Sequence, residues 1–176
     1  MKLPNFLKRF SKQHKAEEEV TLTLLPKRGF EVLDEFKAHF EDGTVVKPGR
    51  KTTSSAGYDI AAIGDYHIAP NSKAIINTGL TAYMGSDEWL ALFVRSGLAY
   101  ADDLTLQNSV GVIDSDFYGK HIRILLRNEG TTPFEVKHGD RIAQAIFLPY
   151  LKADDDSEME KAERNGGFGS TGVKSA

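Results

Sequence analysis

The stretch IAPNSKAIINTGLTAYM, residues 68–84, decides the class of fold. It opens on turn chemistry at Pro70-Asn71 and runs on as β-rich chain. Four further β-rich runs follow it: WLALFVRSGL (89–98), HIRILLRN (121–128), PFEVKHGD (133–140) and RIAQAIFLPYL (141–151). Turn markers fall between them at Gly85-Ser86, Asn128-Glu129-Gly130 and His138-Gly139-Asp140. Many short strands with spaced turns predict an all-β protein, a barrel or jelly-roll-like sandwich. There is neither βαβ alternation nor an internal repeat.

Outward from this core the pattern weakens. VTLTLL (20–25) and GFEVL (29–33) read as strands and LDEFKAHF (33–40) as helical, although periodicity does not separate the two. The first fifteen residues carry five Lys and Arg and no acid, with Leu3, Phe6, Leu7 and Phe10 at helical spacing. Two readings compete there: a surface-binding amphipathic helix, or a terminus that frays or packs on its own body. Residues 152–164 are charged, and RNGGFGSTG (164–172) combines glycine and hydroxyls around one phenylalanine, which reads as an arm that orders on a ligand. The expected division is a basic extension at 1–19, a β domain at 20–151 and an arm at 152–176.

A chain of 176 residues fits one domain with a real core. The net charge of −3 gives no whole-chain signature of stable nucleic-acid binding. With no cysteine, disulfides, iron–sulfur clusters and thiolate zinc sites are excluded, and a reducing, cytoplasmic location is expected. No apolar run is long enough to span a bilayer.

Chemistry is concentrated in five segments: SSAGYDI (54–60), RSGLA (95–99), NSVGVIDSDFYG (108–119), GDRIAQ (139–144) and RNGGFGSTG. Arg95, Ser96 and Gly97 offer a guanidinium, a hydroxyl and an unhindered backbone N–H, a set suited to phosphate oxygens. Arg164, Ser170 and Thr171 repeat it around Phe168, a ring able to stack on a base. Gln144 adds an amide. Asp59 and Asp114 are acids fit to hold Mg²⁺-bound waters or to activate a water. Asp114 and Asp116 stand two apart, and from the residues alone that pair reads equally as a polar turn, a metal site or a general base. The set describes hydrolysis of a nucleoside polyphosphate without a protein nucleophile. No GxxxxGK[ST] P-loop is present and no GxGxxG follows a strand, the five histidines lack zinc spacing, and no GxSxG supports a serine hydrolase.

In this order the five segments resemble the trimeric dUTPase family, homotrimeric all-β dUTP pyrophosphatases, from about Gly49 to Gly172. The resemblance implies a distorted jelly-roll whose C-terminal arm crosses to a neighbouring subunit, dUTP as substrate and Mg²⁺ as cofactor. It implies that Asp114 activates the water attacking the α-phosphate. Asn108 and the backbone through Val112 and Ile113 would form a hairpin pocket reading uracil, with Phe117 under the deoxyribose. Arg95, Ser96, Gly97 and Gln144 would cradle the phosphates. Arg164, Phe168, Gly169, Ser170 and Thr171 would close over the nucleotide, and Asp59 would serve in the metal shell or as structural support.

Three departures from the family pattern stand out. Phe117 replaces the usual tyrosine, beside a Tyr118 placed to share its role. The arm is one residue shorter between Arg164 and Gly166-Gly167-Phe168. The first forty residues exceed the usual lead-in. The related dCTP deaminases need a glutamate base on the following strand, where this chain has Leu125 and no acid before Glu129. A regulatory, protein-binding role for the extension or for the 30–45 insertion would be compatible with catalysis.

Overall fold

The computed structural model describes residues 27–158 and Lys161. The 1–19 extension, VTLTLL and the arm residues Arg164, Phe168, Gly169, Ser170 and Thr171 lie outside the described residues. Within them the strands are β1 (Gly29–Val32), β2 (Gly49–Arg50), β3 (Tyr58–Ala61), β4 (Tyr66–Ile68), β5 (Lys73–Tyr83), β6 (Glu88–Val94), β7 (Leu104–Leu106), β8 (Gly111–Asp114), β9 (Ile122–Asn128), β10 (Phe134–Val136) and β11 (Arg141–Pro149). Two short helices, α1 (Lys37–Glu41) and α2 (Ser96–Ala101), interrupt them. The all-β expectation holds.

The strands form a four-stranded sheet ordered β1-β5-β9-β7, a five-stranded sheet ordered β2-β3-β11-β6-β8 and a β10-β4 pair, antiparallel throughout. Alternation builds the core between the larger sheets. Ile122, Ile124 and Leu126 of β9 point inward with Ile76 and Leu80 of β5, in one cluster with Ile60, Leu90 and Leu92 of the other sheet. Burial on this scale is the main stabilising term. Asn128 continues the inward face at 1% exposure. It is tolerated because its amide donates to the Ile68 and Thr132 carbonyls, at 2.9 and 2.8 Å, while its oxygen accepts the Gly130 N–H.

The predicted turns are turns, and their chemistry shows why. Asn71 takes φ 57° and Gly139 φ 87°, conformations that most side chains resist. LDEFKAHF is indeed helical, a 3₁₀ turn (Asp34–Phe36) leading into α1. The run WLALFVRSGL is not strand throughout. Strand β6 ends at Val94, Arg95 stays extended, and Ser96 starts α2. The segment around Asn108 also differs from the implied hairpin. Strand β7 pairs with β9 and β8 with β6, so the chain turns a corner between sheets, with Ser109 at φ 61°.

Opposite β9, strand β5 carries Thr78 and Gly79 as extra residues, since Asn77 pairs with Arg123 but Leu80 already pairs with Ile122. Gly79 sits at φ 69°, and a Cβ there would meet Ile63 Cδ1 at 2.6 Å and Phe36 Cβ at 2.7 Å. Gly79→Ala is expected to cost about 3 kcal/mol, from left-handed backbone strain plus overpacking. Urea unfolding should show this as a lowered midpoint at unchanged slope.

Candidate active site

The described motif residues fall into two groups on the five-stranded sheet. The first surrounds Asp59. This residue lies on β3 in register with Gln144 of β11, while Arg95 follows β6 and Arg141 opens β11. Asp59 Oδ1 receives Arg95 Nε at 3.0 Å and Asp59 Oδ2 receives Arg141 Nη1 at 2.9 Å. Arg95 also donates through Nη1 to the Arg141 carbonyl at 2.9 Å. One carboxylate thus fixes two guanidinium planes, and both remain partly exposed.

A cavity of about 410 Å³ opens beside them, reached also by Lys51, Ser55, Ser96 and Gln144. Three cations, Lys51, Arg95 and Arg141, face one anion, Asp59, so the cavity carries an excess of two positive charges. Such a concavity concentrates polyanions. Gly97 has open space where a Cβ would point, leaving the approach to the backbone clear. At Gly57 a Cβ would lie 2.6 Å from Gln144 Oε1, so a larger residue there would displace the Gln144 amide. Lys51 lies outside the five motif segments, and Ser55 and Arg141 lie within two of them but carry no role in the motif reading. Only the register of β3 against β11, and the loop before β3, bring them in.

The second group lines a cavity of about 340 Å³, within the roughly 300–1,000 Å³ range of small-molecule sites. Asn108, Val112, Ile113 and Phe117 contribute, joined by His121 and Leu125. Phe117 packs against the core with Lys120 Nζ 6.0 Å from its ring centre. Tyr118 does not share its place: the Tyr118 hydroxyl donates to Glu31 of β1 at 2.8 Å, tying this loop to the lead-in segment. Asp114 closes β8, half-buried, immediately before the 3₁₀ turn Ser115–Phe117, and Asp116 lies exposed on that turn.

Metal binding was expected at Asp59. Both its oxygens are engaged by arginines, and among the described residues no three acid or imidazole side chains gather as a metal cage. Of the two roles expected for Asp59, structural support fits this geometry.

A family profile for dUTPase matches residues 44–172. The chain belongs to the dUTPase family. The deoxyuridine 5'-triphosphate nucleotidohydrolase of Lactococcus lactis is 42% identical over 151 residues, covering 83% of this chain and 98% of that protein. That of Coxiella burnetii is 42% identical over 131 residues, covering 71% and 86%. The crystal structure of dUTPase from Streptococcus mutans matches at 34% identity and a TM-score of 0.64, over 72% of this chain and 98% of that one. A dUTPase from phage phi11 of S. aureus, at 18% identity and a TM-score of 0.62 over 81% of this chain and all of that one, shares the fold. Among the described residues no helix of this dUTPase is long and apolar enough to cross a membrane.

Proposed function

We infer that Asp114 deprotonates the water by which this chain hydrolyses dUTP to dUMP and pyrophosphate, in a site shared between copies of the chain. The observation that carries this reading is a distance along β6. Asp114 pairs with Trp89 at one end of the strand, whereas the cradle begins at Arg95, beyond the other. Six residues of extended chain span about 20 Å, too far for one water to serve both groups. A second copy must bring its cradle to the first copy's acid; closed symmetry allows this in a dimer or a ring, and the family resemblance favours the ring of three.

In the shared site Asp114 takes the proton as the water oxygen bonds to the α-phosphorus. The α–β bridging bond breaks in line, and its electron pair leaves with pyrophosphate. Arg95, Arg141 and Lys51 stabilise the charge that develops there. Uracil enters the Asn108–Ile113 corner, with Phe117 against the sugar excluding a ribose 2′-hydroxyl by shape. The arm residues Arg164, Phe168, Gly169, Ser170 and Thr171 close over base and phosphates and exclude water. The described residues suit a metal–nucleotide complex better than a protein-held ion. Mg²⁺ carried on the triphosphate would offset its charge. In this reading 20–151 is the domain that carries cradle and pocket, 152–176 is the arm, and 1–19 is an extension outside the site.

The dCTP deaminase alternative lacks its base. Leu125 stands on the pocket wall, and Glu129, the next acid, lies within 3.4 Å of Arg127. The test is pyrophosphate release with Mg²⁺ present. dUTP should exceed dCTP, dTTP and UTP by at least about 100-fold in kcat/KM. Ammonia release from dCTP, or no turnover of dUTP, would overturn the reading.

A further inference from the structure

We propose that His121 is a positioning residue for the nucleoside pocket, its unprotonated Nε2 clasping the β5 bulge and so fixing the ring where it stands on the pocket wall. The bulge at Thr78 and Gly79 takes two N–H groups out of the strand ladder. A buried N–H without an acceptor costs about 1–3 kcal/mol, so each needs a partner. Both go to one atom: His121 Nε2 accepts from Gly79 at 3.0 Å and from Thr78 at 3.3 Å. The ring is thereby fixed as the tautomer with hydrogen on Nδ1.

His121 also joins elements that the strand ladder does not. Its ring packs on Phe36 of the lead-in segment with centroids 4.6 Å apart. The carbonyl of Gly79 accepts the Leu33 N–H at 2.9 Å, so the bulge is capped from the same segment. On its other side, His121 lines the pocket together with Phe117. The loop between Asp114 and His121 is tied to β5 again through the Gly119 N–H, which donates to Thr81 Oγ1 at 2.8 Å. Movement of the His121 ring therefore reaches Phe117 through three intervening residues. This assigns a role to the lead-in segment: Phe36 and Leu33 hold the bulge and its cap in place.

The arrangement has a sign with pH. A proton on Nε2 would replace an acceptor with a third donor facing two others. Burial pushes the His121 pKa below its ordinary value, and Arg123 of β9 adds to this, while Glu35 of the 3₁₀ turn opposes it. The neutral form favours the folded pocket. Its contribution is complete above the unfolded imidazole value of about 6.5 and is lost as pH falls through the lowered folded value.

The proposal rests on reading this cavity as the nucleoside pocket, and the test separates the two. KM and kcat for dUTP are measured from pH 5 to pH 8 in the full chain, His121→Ala and His121→Gln. At pH 7.5 the alanine variant should raise KM about tenfold with kcat within about twofold, the split expected of lost ground-state positioning. Glutamine, whose amide oxygen accepts the same two N–H groups without titrating, should recover most of that loss. It should also lack the additional rise in KM that the native chain shows on the acid side. Imidazole nitrogen NMR should find hydrogen on Nδ1. An acid-side profile unchanged in His121→Gln, a kcat loss at native KM in His121→Ala, or hydrogen on Nε2 would each overturn the proposal. Absence of dUTP turnover would instead overturn the functional reading, while the tautomer would still decide the bulge.

Discussion

Asp114→Asn should lower kcat for dUTP by about 10²- to 10⁴-fold while leaving KM within a few-fold, the range expected for loss of a general base. The amide is nearly isosteric with the carboxylate and cannot accept the proton of the attacking water. The residue closes β8 at the rim of the sheet and is half-buried, so the substitution places no new group in the core. Thermal unfolding should accordingly differ little from that of the native chain. Asp116→Asn is the internal control. Asp116 is exposed on the 3₁₀ turn that follows, and its substitution should change kcat by less than about threefold, since surface groups interact weakly through solvent. Rates are compared by pyrophosphate release at saturating dUTP. An Asp114→Asn enzyme within tenfold of native kcat would remove Asp114 from the role of base. A loss confined to Asp116→Asn would move the role two residues along.

That contrast shows what the sequence could and could not carry. The strand pattern was legible in β9, where inward Ile122, Ile124 and Leu126 alternate with Arg123, Leu125 and Arg127 and only Leu125 breaks the apolar–polar alternation. Turn chemistry marked Asn71 and Gly139 for the same local reason, a positive φ. The helix at Ser96 escaped because six residues are too few to establish a period, and an apolar strand runs directly into them. The site was legible as residue types in order, but not as contacts. The joint grip of Asp59 on Arg95 and Arg141 depends on residues 36 and 82 positions away from it, brought together only by the β3, β11 and β6 register. His121 was read only as one of five histidines without metal spacing. No local signal announces an imidazole that caps a bulge more than forty residues earlier, because the bulge exists only once β5 and β9 are paired.

A mixture of two inactive variants should regain activity. Arg95→Ala removes a cradle guanidinium and is expected to lose about 10²- to 10³-fold in kcat/KM. Asp59 then retains Arg141, at 2.9 Å, so the local ion pairing is not wholly lost. Asp114→Asn removes the base at the opposite end of β6. If acid and cradle served one site within a single chain, every site in any mixture would keep one defect, and the mixture would stay inactive. If each site takes its acid from one copy and its cradle from the next, a site works when the first copy carries Arg95→Ala and the second Asp114→Asn. Random assembly at equal amounts makes that pairing half of one half, so about a quarter of native activity should return. The variants are unfolded together in urea, refolded as a mixture and assayed at matched assembly size. Each variant refolded alone provides the baseline. The recovered fraction should follow the product of the two mole fractions and peak at equal amounts, because both defects must be separated between adjacent copies. Activity that stays at the baseline across all ratios would place acid and cradle in one chain, and would require the roughly 20 Å along β6 to be closed by movement within a single copy.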